Sequence, residues 1–431
     1  MHSYPLLTVV LALVALWPAE ARAYKIARTA NDAQLELHWD TWVVPYTIHY
    51  RGAEDVHDVL LQGALHRAFR AWGEVSDAGL QFQSTAQWAD KASEPDDHNV
   101  LYWIESAWPH GTQVIGLTSI NYYPDTGEIV DVDIAFNGMD YDWTVFDEAV
   151  ETDIQSIATH EIGHMFGLDH SETNESVMWF QYTPGETRQR ELSGDDLDAV
   201  AYLYPCSEAA DQASAERLKD RAADCEQGFY ETGCALAAPG RAGLWTLALL
   251  ALALALVRRQ PSARLPLLAV AMVHVAAGPA PAGQAHVAAR LAAEQVLDAS
   301  DAVVLGEVTA VDPYWGEDGH VHSRVEVRVE EWLRGSGPEH LELDRPAGEL
   351  PAMGTVVPGE PRFESGQQLV LALTDAGGRW VPTALAQGFF QIVDTAAGPM
   401  ALRHPGGPLL GERLGGAERI PLAELLARAR R

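Results

Sequence analysis

Residues Glu151 to Trp179 read ETDIQSIATHEIGHMFGLDHSETNESVMW, and this stretch decides how the N-terminal part of the chain folds. Ile154, Ile157, Ala158, Ile162 and Met165 fall on one stripe of a helical period. Asp147, Glu148, Glu151 and Asp153 gather at its N-terminal side, where the helix dipole favours acids. His160 and His164 lie four residues apart and so project from one face, within reach of a single metal ion. Glu161 stands between them. Gly167 tolerates a positive φ and allows a sharp exit from the helix, after which the chain returns His170 as a third imidazole. Three neutral nitrogen ligands with one open position describe a catalytic zinc and not a closed structural one. Zinc polarises a carbonyl and brings the pKa of bound water towards ~7. Glu161 would take the water's proton and pass it to the leaving amine. The spacing therefore predicts peptide-bond hydrolysis with one zinc on His160, His164 and His170 and Glu161 as general base.

Around this stretch the pattern is α+β with a mixed sheet. Leu35–Tyr50 is rich in β-branched and aromatic residues and predicts an early strand. Asp55–Val75 predicts an amphipathic helix, with Val56, Val59, Leu60, Ala64, Ala68, Trp72 and Val75 inward and Asp55 as cap or first-turn acid. Strands are expected over Gly79–Phe82, Asn99–Glu105, Gln113–Thr118 and Ile129–Phe136, with a turn at Pro124-Asp125-Thr126-Gly127. Leu192–Pro205 predicts a helix capped by Ser193, with Asp195 and Asp196 in its first turn and Leu197, Val200, Ala201 and Tyr204 inward.

HEIGHMFGLDH, His160 to His170, resembles the extended zinc motif of the metzincin metalloproteases. Ser171 and Ser176-Val177-Met178 resemble its matrixin branch, and Leu192–Pro205 resembles the closing helix of that branch. The resemblance covers about residues 35 to 205. It implies a metzincin-like catalytic domain over 24–206 with a mixed sheet and an active-site helix. It further implies a zinc metalloendopeptidase acting on proteins or peptides, with Met178 as the Met-turn beneath the metal; for Met178 plain core packing is a compatible reading. Two departures carry expectations. No cysteine precedes the motif, so the cysteine-switch latency of animal matrixins is not expected. In Val130–Asn137, VDVDIAFN, Ala135 stands where animal relatives place a structural-zinc histidine, so a second zinc is not expected. Asp125, Asp131, Asp133 and Asn137 offer hard oxygen ligands for Ca²⁺, with an exposed acidic loop as the alternative. The aromatic run Trp179-Phe180-Gln181-Tyr182 predicts a hydrophobic residue just after the scissile bond.

Further out, residues 1–23 have an apolar run, Leu6–Trp17, and a small-residue exit, which predict a secretory signal peptide cleaved before Tyr24. Residues 207–242 form a polar linker. Cys206 and Cys225 are a possible disulfide pair, free thiols being the alternative. Gly243–Val257 is apolar all round and ends on Arg258-Arg259, which predicts a membrane tether. With Gly233-Cys234-Ala235-Leu236 ahead of it, this segment resembles a myxobacterial C-terminal sorting tail, although more chain follows. Residues 265–285, with the apolar stretch Leu265–Ala277, read as a second signal-like or membrane segment. The two runs form a membrane hairpin, or two neighbouring reading frames have been fused. His286–Leu297 predicts a helix, and five strand-like runs between Ala302 and Val393 predict a small all-β barrel or sandwich over 286–431. It carries no chemical constellation, which suggests a binding or accessory role, including restraint of the protease in cis.

Composition excludes other classes. In 431 residues, 61 acidic against 29 basic side chains give a net charge of −32, the wrong field for nucleic-acid binding. Three cysteines are too few for a disulfide scaffold. No oligomer is implied. The sequence thus predicts an exported, extracellular or surface-tethered enzyme. The alternative is a surface binding protein with a structural or inactive zinc site.

Overall fold

A computed structural model describes residues 23–49, 51–75, 78–85, 98–147, 150–205, 291–404 and 417–431. All but the last residue of the expected signal peptide 1–23, the expected linker, Cys206, Cys225 and Cys234, and the apolar runs 243–257 and 265–285 lie outside the described residues. Among the described residues no helix is long and apolar enough to cross a membrane.

The N-terminal region opens with β1 (Lys25–Ile26), β2 (Val43–Ile48) and helix α1 (Asp58–Gly73). It continues through β3 (Gln81–Ser84), β4 (Val100–Ile104), β5 (Gly116–Tyr122), β6 (Ile129–Asn137), β7 (Trp143–Thr144) and β8 (Thr152–Asp153). Helix α2 (Ile154–Met165), β9 (Leu168–Asp169) and, after a 3₁₀ turn at Arg188–Arg190, helix α3 (Gly194–Leu203) complete it. β3, β2, β4 and β6 run parallel, and β5 closes the row antiparallel to β6. This is the mixed sheet that the sequence predicts. Two short pairs, β1 with β9 and β7 with β8, brace the two ends of α2.

The helices differ from expectation in register. α1 is capped by the His57 ring, which accepts from the Val59 N–H, while Asp55 accepts from the Trp143 N–H at 3.1 Å. Its buried face is Leu61, Ala64, Leu65, Ala68, Phe69 and Trp72; Val59 and Leu60 are exposed. Several apolar residues adjoin at the start of α1, so periodicity alone leaves its phase ambiguous by one position. In α3, Val200 and Tyr204 face the core as expected, but Leu197 is exposed and the buried positions include Ala199, Leu203 and the carboxylate of Asp196. The expected early strand is reduced to β2; the segment before it is held instead by isolated bridges such as Arg28 to Glu36.

The C-terminal region contains helix α4 (Ala293–Asp298) and strands β10 (Ala302–Trp315), β11 (Val321–Arg334) and β12 (His340–Arg345). Then come β13 (Gly348–Glu349), β14 (Gly354–Val356), β15 (Gln368–Asp375), β16 (Trp380–Pro382), β17 (Phe389–Thr395), β18 (Gly398–Arg403) and β19 (Glu418–Pro421), followed by helix α5 (Leu422–Ala429). The main sheet runs β12-β11-β10-β15-β17-β18-β19, with β16 beside β15, all antiparallel. Among the described residues these strands follow one another as a ladder, with register shifts along β10 where it pairs with β11. On β11 the expected alternation holds: Val321, Val325, Val327 and Val329 are buried. α4 and α5 cover one face, where Val296, Leu297 and Leu425 pack on Val303, Val370 and Phe390. The opposite face buries Val304, Val325, Val327, Leu343, Leu369 and Leu371.

The two regions belong to one compact unit. Their hydrogen bonding is continuous: β13 and β14 leave the C-terminal sheet and extend the N-terminal one, β14 pairing with β5. The sequence reading treats the halves as separate, because short strands that complete another region's sheet have no periodicity of their own.

A charge cluster in this region carries a pH dependence. His322 lies 2.8 Å from Asp318 and 3.3 Å from Asp344. Burial alone would lower the imidazole, but the hydrogen bonds to the two carboxylates raise it from 6.5 to about 9. Asp344 is correspondingly held down at about 2 by His322. A raised basic group stabilises fully below its unfolded pKa and loses that contribution as pH climbs through the folded value. Thermal stability should therefore fall between pH 6.5 and 9, and this component of the fall should vanish in His322→Gln. Parallel melting curves for both proteins across that window would contradict the assignment.

Candidate active site

All of α2 except Gln155 is buried, including His160, Glu161 and His164. Asp153 caps it, accepting from the Ser156 N–H at 2.9 Å, and pairs with Arg190 at 2.6 Å. Trp72 of α1 donates its indole N–H to the Thr159 carbonyl at 2.8 Å, locking the two helices together. Ile154, Ile157, Ala158, Ile162 and Met165 are fully buried, so the predicted stripe is the core face.

His160, His164 and His170 offer one ring nitrogen each, all within 4.8 Å of one another. Among the described residues this is the group of His, Cys, Asp and Glu side chains arranged to hold a metal ion. The Nδ1 atoms of His160 and His164 pair with the carbonyls of Val177 and Leu168, at 2.7 and 2.8 Å. That contact fixes each ring so that its Nε2 faces inward, and the two Nε2 atoms converge to 3.0 Å. Backbone carbonyls behind ligating imidazoles set tautomer and ring orientation in metal sites. Burial and the neighbouring imidazoles hold His164 well below its ordinary value, and His160 is pushed down to about 3 chiefly by burial. Both rings are thus neutral, as a metal ligand must be. The residues fit a zinc ion.

Glu161 points into the same space. Burial pushes its carboxyl up to about 7, against the opposing pull of the Thr118 hydroxyl, which donates to Oε2 at 2.6 Å. Thr118 escapes sequence reasoning because it lies on β5, far from the motif, and only the sheet brings it across. Gly116 on the same strand is needed for room: a Cβ there would stand 2.7 Å from Glu161 Oε1.

Two further glycines explain the spelling of the motif. A Cβ on Gly163 would fall 2.2 Å from the sulfur of Met178, so the bare helix face lets Met178 pack against the turn between His160 and His164. Gly167 has φ +105, and a Cβ on it would reach 2.4 Å from the Leu37 carbonyl oxygen. Met178 is buried in the core cluster. Its loop is tied to α3 by Asp196, which accepts from the Ser176 hydroxyl and from the N–H groups of Val177 and Met178, at 3.0 and 3.4 Å for the latter two. Asp196 also completes the capping box with Ser193. A capping pattern was visible in the sequence, but not the second use of its carboxylate.

The aromatic run divides. Phe180 lines the cleft near His170, whereas Tyr182 turns into the core, where its hydroxyl accepts from the Asp153 N–H at 2.9 Å. Among the described residues, Asp125, Asp131 and Asp133, expected with Asn137 for Ca²⁺, do not form a three-carboxylate group. Asp125 is exposed. Asp131 accepts from Asn121 at 3.1 Å, Asp133 from the Val100 N–H at 3.1 Å, and Asn137 serves the loop that follows it.

Comparison with known proteins agrees with this geometry. The family model described as Matrixin matches residues 38–205. Matrix metalloproteinase-26 of Homo sapiens is 28% identical over 165 residues, 37% of this chain and 58% of that protein. Metalloendoproteinase 1-MMP of Arabidopsis thaliana is 34% identical over 169 residues, 37% of this chain and 40% of that protein. Stromelysin-3 of Xenopus laevis is 35% identical over 168 residues, 38% of this chain and 32% of that protein. The chain therefore spans between about a third and three fifths of these relatives' own lengths. With the three imidazoles and the buried glutamate inside the matched segment, residues 38–205 are a matrixin domain.

Proposed function

We propose that this chain is a zinc-dependent endopeptidase. The observation that carries the reading is the convergence of His160, His164 and His170 within 4.8 Å, beside a buried Glu161. Zinc on these imidazoles supplies Lewis-acid polarisation of a peptide carbonyl. Glu161, buried beside them, can accept a proton from water and release it to a leaving amine. Thr118 holds that carboxylate in one orientation. A structural zinc has no use for such a buried carboxylate at its side, which disfavours the binding-protein alternative.

Phe180 supports an apolar wall beside His170, and peptides with a hydrophobic residue just after the scissile bond are the expected substrates. A peptide library in which charged residues are preferred at that position would overturn this specificity. Export before Tyr24 is supported by Asp195, whose Oδ1 lies 2.9 Å from the Tyr24 nitrogen, where a freed α-ammonium would find a counter-charge. Tethering through 243–257, with or without a sorting role for Cys234, is part of the same reading.

Metal content tests the proposal. The purified chain should hold one zinc, and the double variant His160→Ala/His164→Ala should hold none. Cleavage of casein should cease with a zinc chelator and return with zinc. A folded chain that retains no zinc, or cleavage indifferent to the chelator, would sink it.

A further inference from the structure

An exposed edge strand beside an active site is a template for an extended peptide, because its free N–H and C=O groups can pair with an incoming chain. β5 is such an edge in the catalytic sheet: Gly116, Leu117 and Thr118 line the cleft together with the three histidines and Glu161. In this chain the edge is already taken. β14 pairs with it antiparallel, Gly354 opposite Tyr122, Thr355 opposite Asn121 and Val356 opposite Ile120. The backbone continues along β5 towards the histidines, so that Pro358 and Gly359 line the same cleft. A Cβ on Gly359 would lie 3.2 Å from Cε1 of His170. The cavity left there is about 20 Å³, room for roughly a single water.

The strand is anchored at both ends. Before it, Glu349 accepts from the Ala30 N–H at 2.9 Å and the Tyr122 hydroxyl at 2.7 Å. Within it, Thr355 donates to Asn121 at 2.6 Å. After it, Glu360 forms a buried ion pair with Arg345 at the end of β12. Val357 and Leu385 share one buried apolar cluster with Trp108, Val114 and Leu117 of the N-terminal region.

Up to Val356 the segment binds as a substrate strand would. At the point nearest the histidines it ceases to resemble one. Pro358 has no N–H for the ladder, and Gly359 turns away with φ +83. The Gly359 carbonyl is engaged by the Ala386 N–H at 3.0 Å. The peptide bond nearest the site is therefore held away from the extended form in which a substrate carbonyl would be offered.

We propose that residues 291–431 are an inhibitor module for this chain's own active site, with Gly354–Glu360 as the inhibitory strand. The proposal rests on the endopeptidase reading and adds its regulation in cis. Two substitutions in the full chain test it: Gly359→Trp, which places bulk against His170, and Leu385→Asp, which charges the shared apolar cluster. Each should raise kcat/KM for a quenched peptide at least about tenfold, the gain expected when an open state is otherwise a minor fraction. Each should also speed hydrogen exchange at 116–122 and 354–360. Chelator-sensitive cleavage at the wild-type rate in both variants would overturn the proposal. So would wild-type exchange at 354–360 as fast as in an unfolded peptide, a result that does not depend on either variant folding. If exchange accelerates and zinc stays bound but no variant cleaves anything, the endopeptidase reading fails and the strand contact stands as measured.

Discussion

Glu161→Ala removes peptide cleavage by a factor of about 10²–10⁴, the range that positioned proton transfer supplies, while zinc remains bound. The comparison is made in the wild-type chain and repeated in the Gly359→Trp background, where the strand is expected to be displaced. The carboxylate is buried and hydrogen-bonded to Thr118 at 2.6 Å, and it is not among the three metal ligands, so its loss separates proton transfer from metal binding. Glu161→Gln should fall as far, since it keeps the shape but not the proton acceptor. Stopped or continuous assays on a quenched peptide, with zinc measured on the same samples, check both. Undiminished cleavage by the alanine variant would remove Glu161 from the mechanism.

The second large effect concerns a residue that touches neither metal nor substrate. Gly167→Ala should destabilise the N-terminal region by about 2–4 kcal/mol, combining left-handed strain with steric conflict. Backbone φ at +105 disfavours any side chain, and the clash at 2.4 Å is with the Leu37 carbonyl, which is main chain and cannot swing aside. That displacement would disturb the Gly167 carbonyl, which receives the Ala27 N–H at 2.8 Å, and the adjoining β1–β9 pair. His170 follows at once, so zinc affinity should fall alongside stability. Thermal unfolding and a zinc titration of the same variant measure the two losses; a melting curve superimposable on wild type would show that the turn is not needed in this form.

Much of the site is legible in the sequence because α2 is local. Histidines spaced by one helical turn, a glutamate between them and a glycine exit all act within eleven residues; helical geometry brings His160 and His164 together, and the Gly167 turn returns His170. The presence of strands before the helix is likewise legible as alternation and turns, although their order in the sheet is not. What is not legible depends on tertiary partners. Thr118, Gly116 and Asp196 acquire their meanings only when β5 and α3 are laid against α2. The phase of α1 is set by Trp72 and Phe69 packing inward, not by the adjacent valine and leucine that the period admits equally. β13 and β14 are too short and too glycine-rich to announce themselves, and their pairing partner lies more than two hundred residues upstream.

Asp196 has a consequence for the order of events in biosynthesis. Its carboxylate receives groups from the Ser176–Met178 loop and from the start of α3, so the floor of the metal site is completed by a helix at the far end of the domain. A ribosome that has delivered His160, His164 and His170 has not yet delivered that support. A zinc site on these imidazoles would thus be complete only once residues up to Leu203 have folded, and not at the appearance of its own ligands.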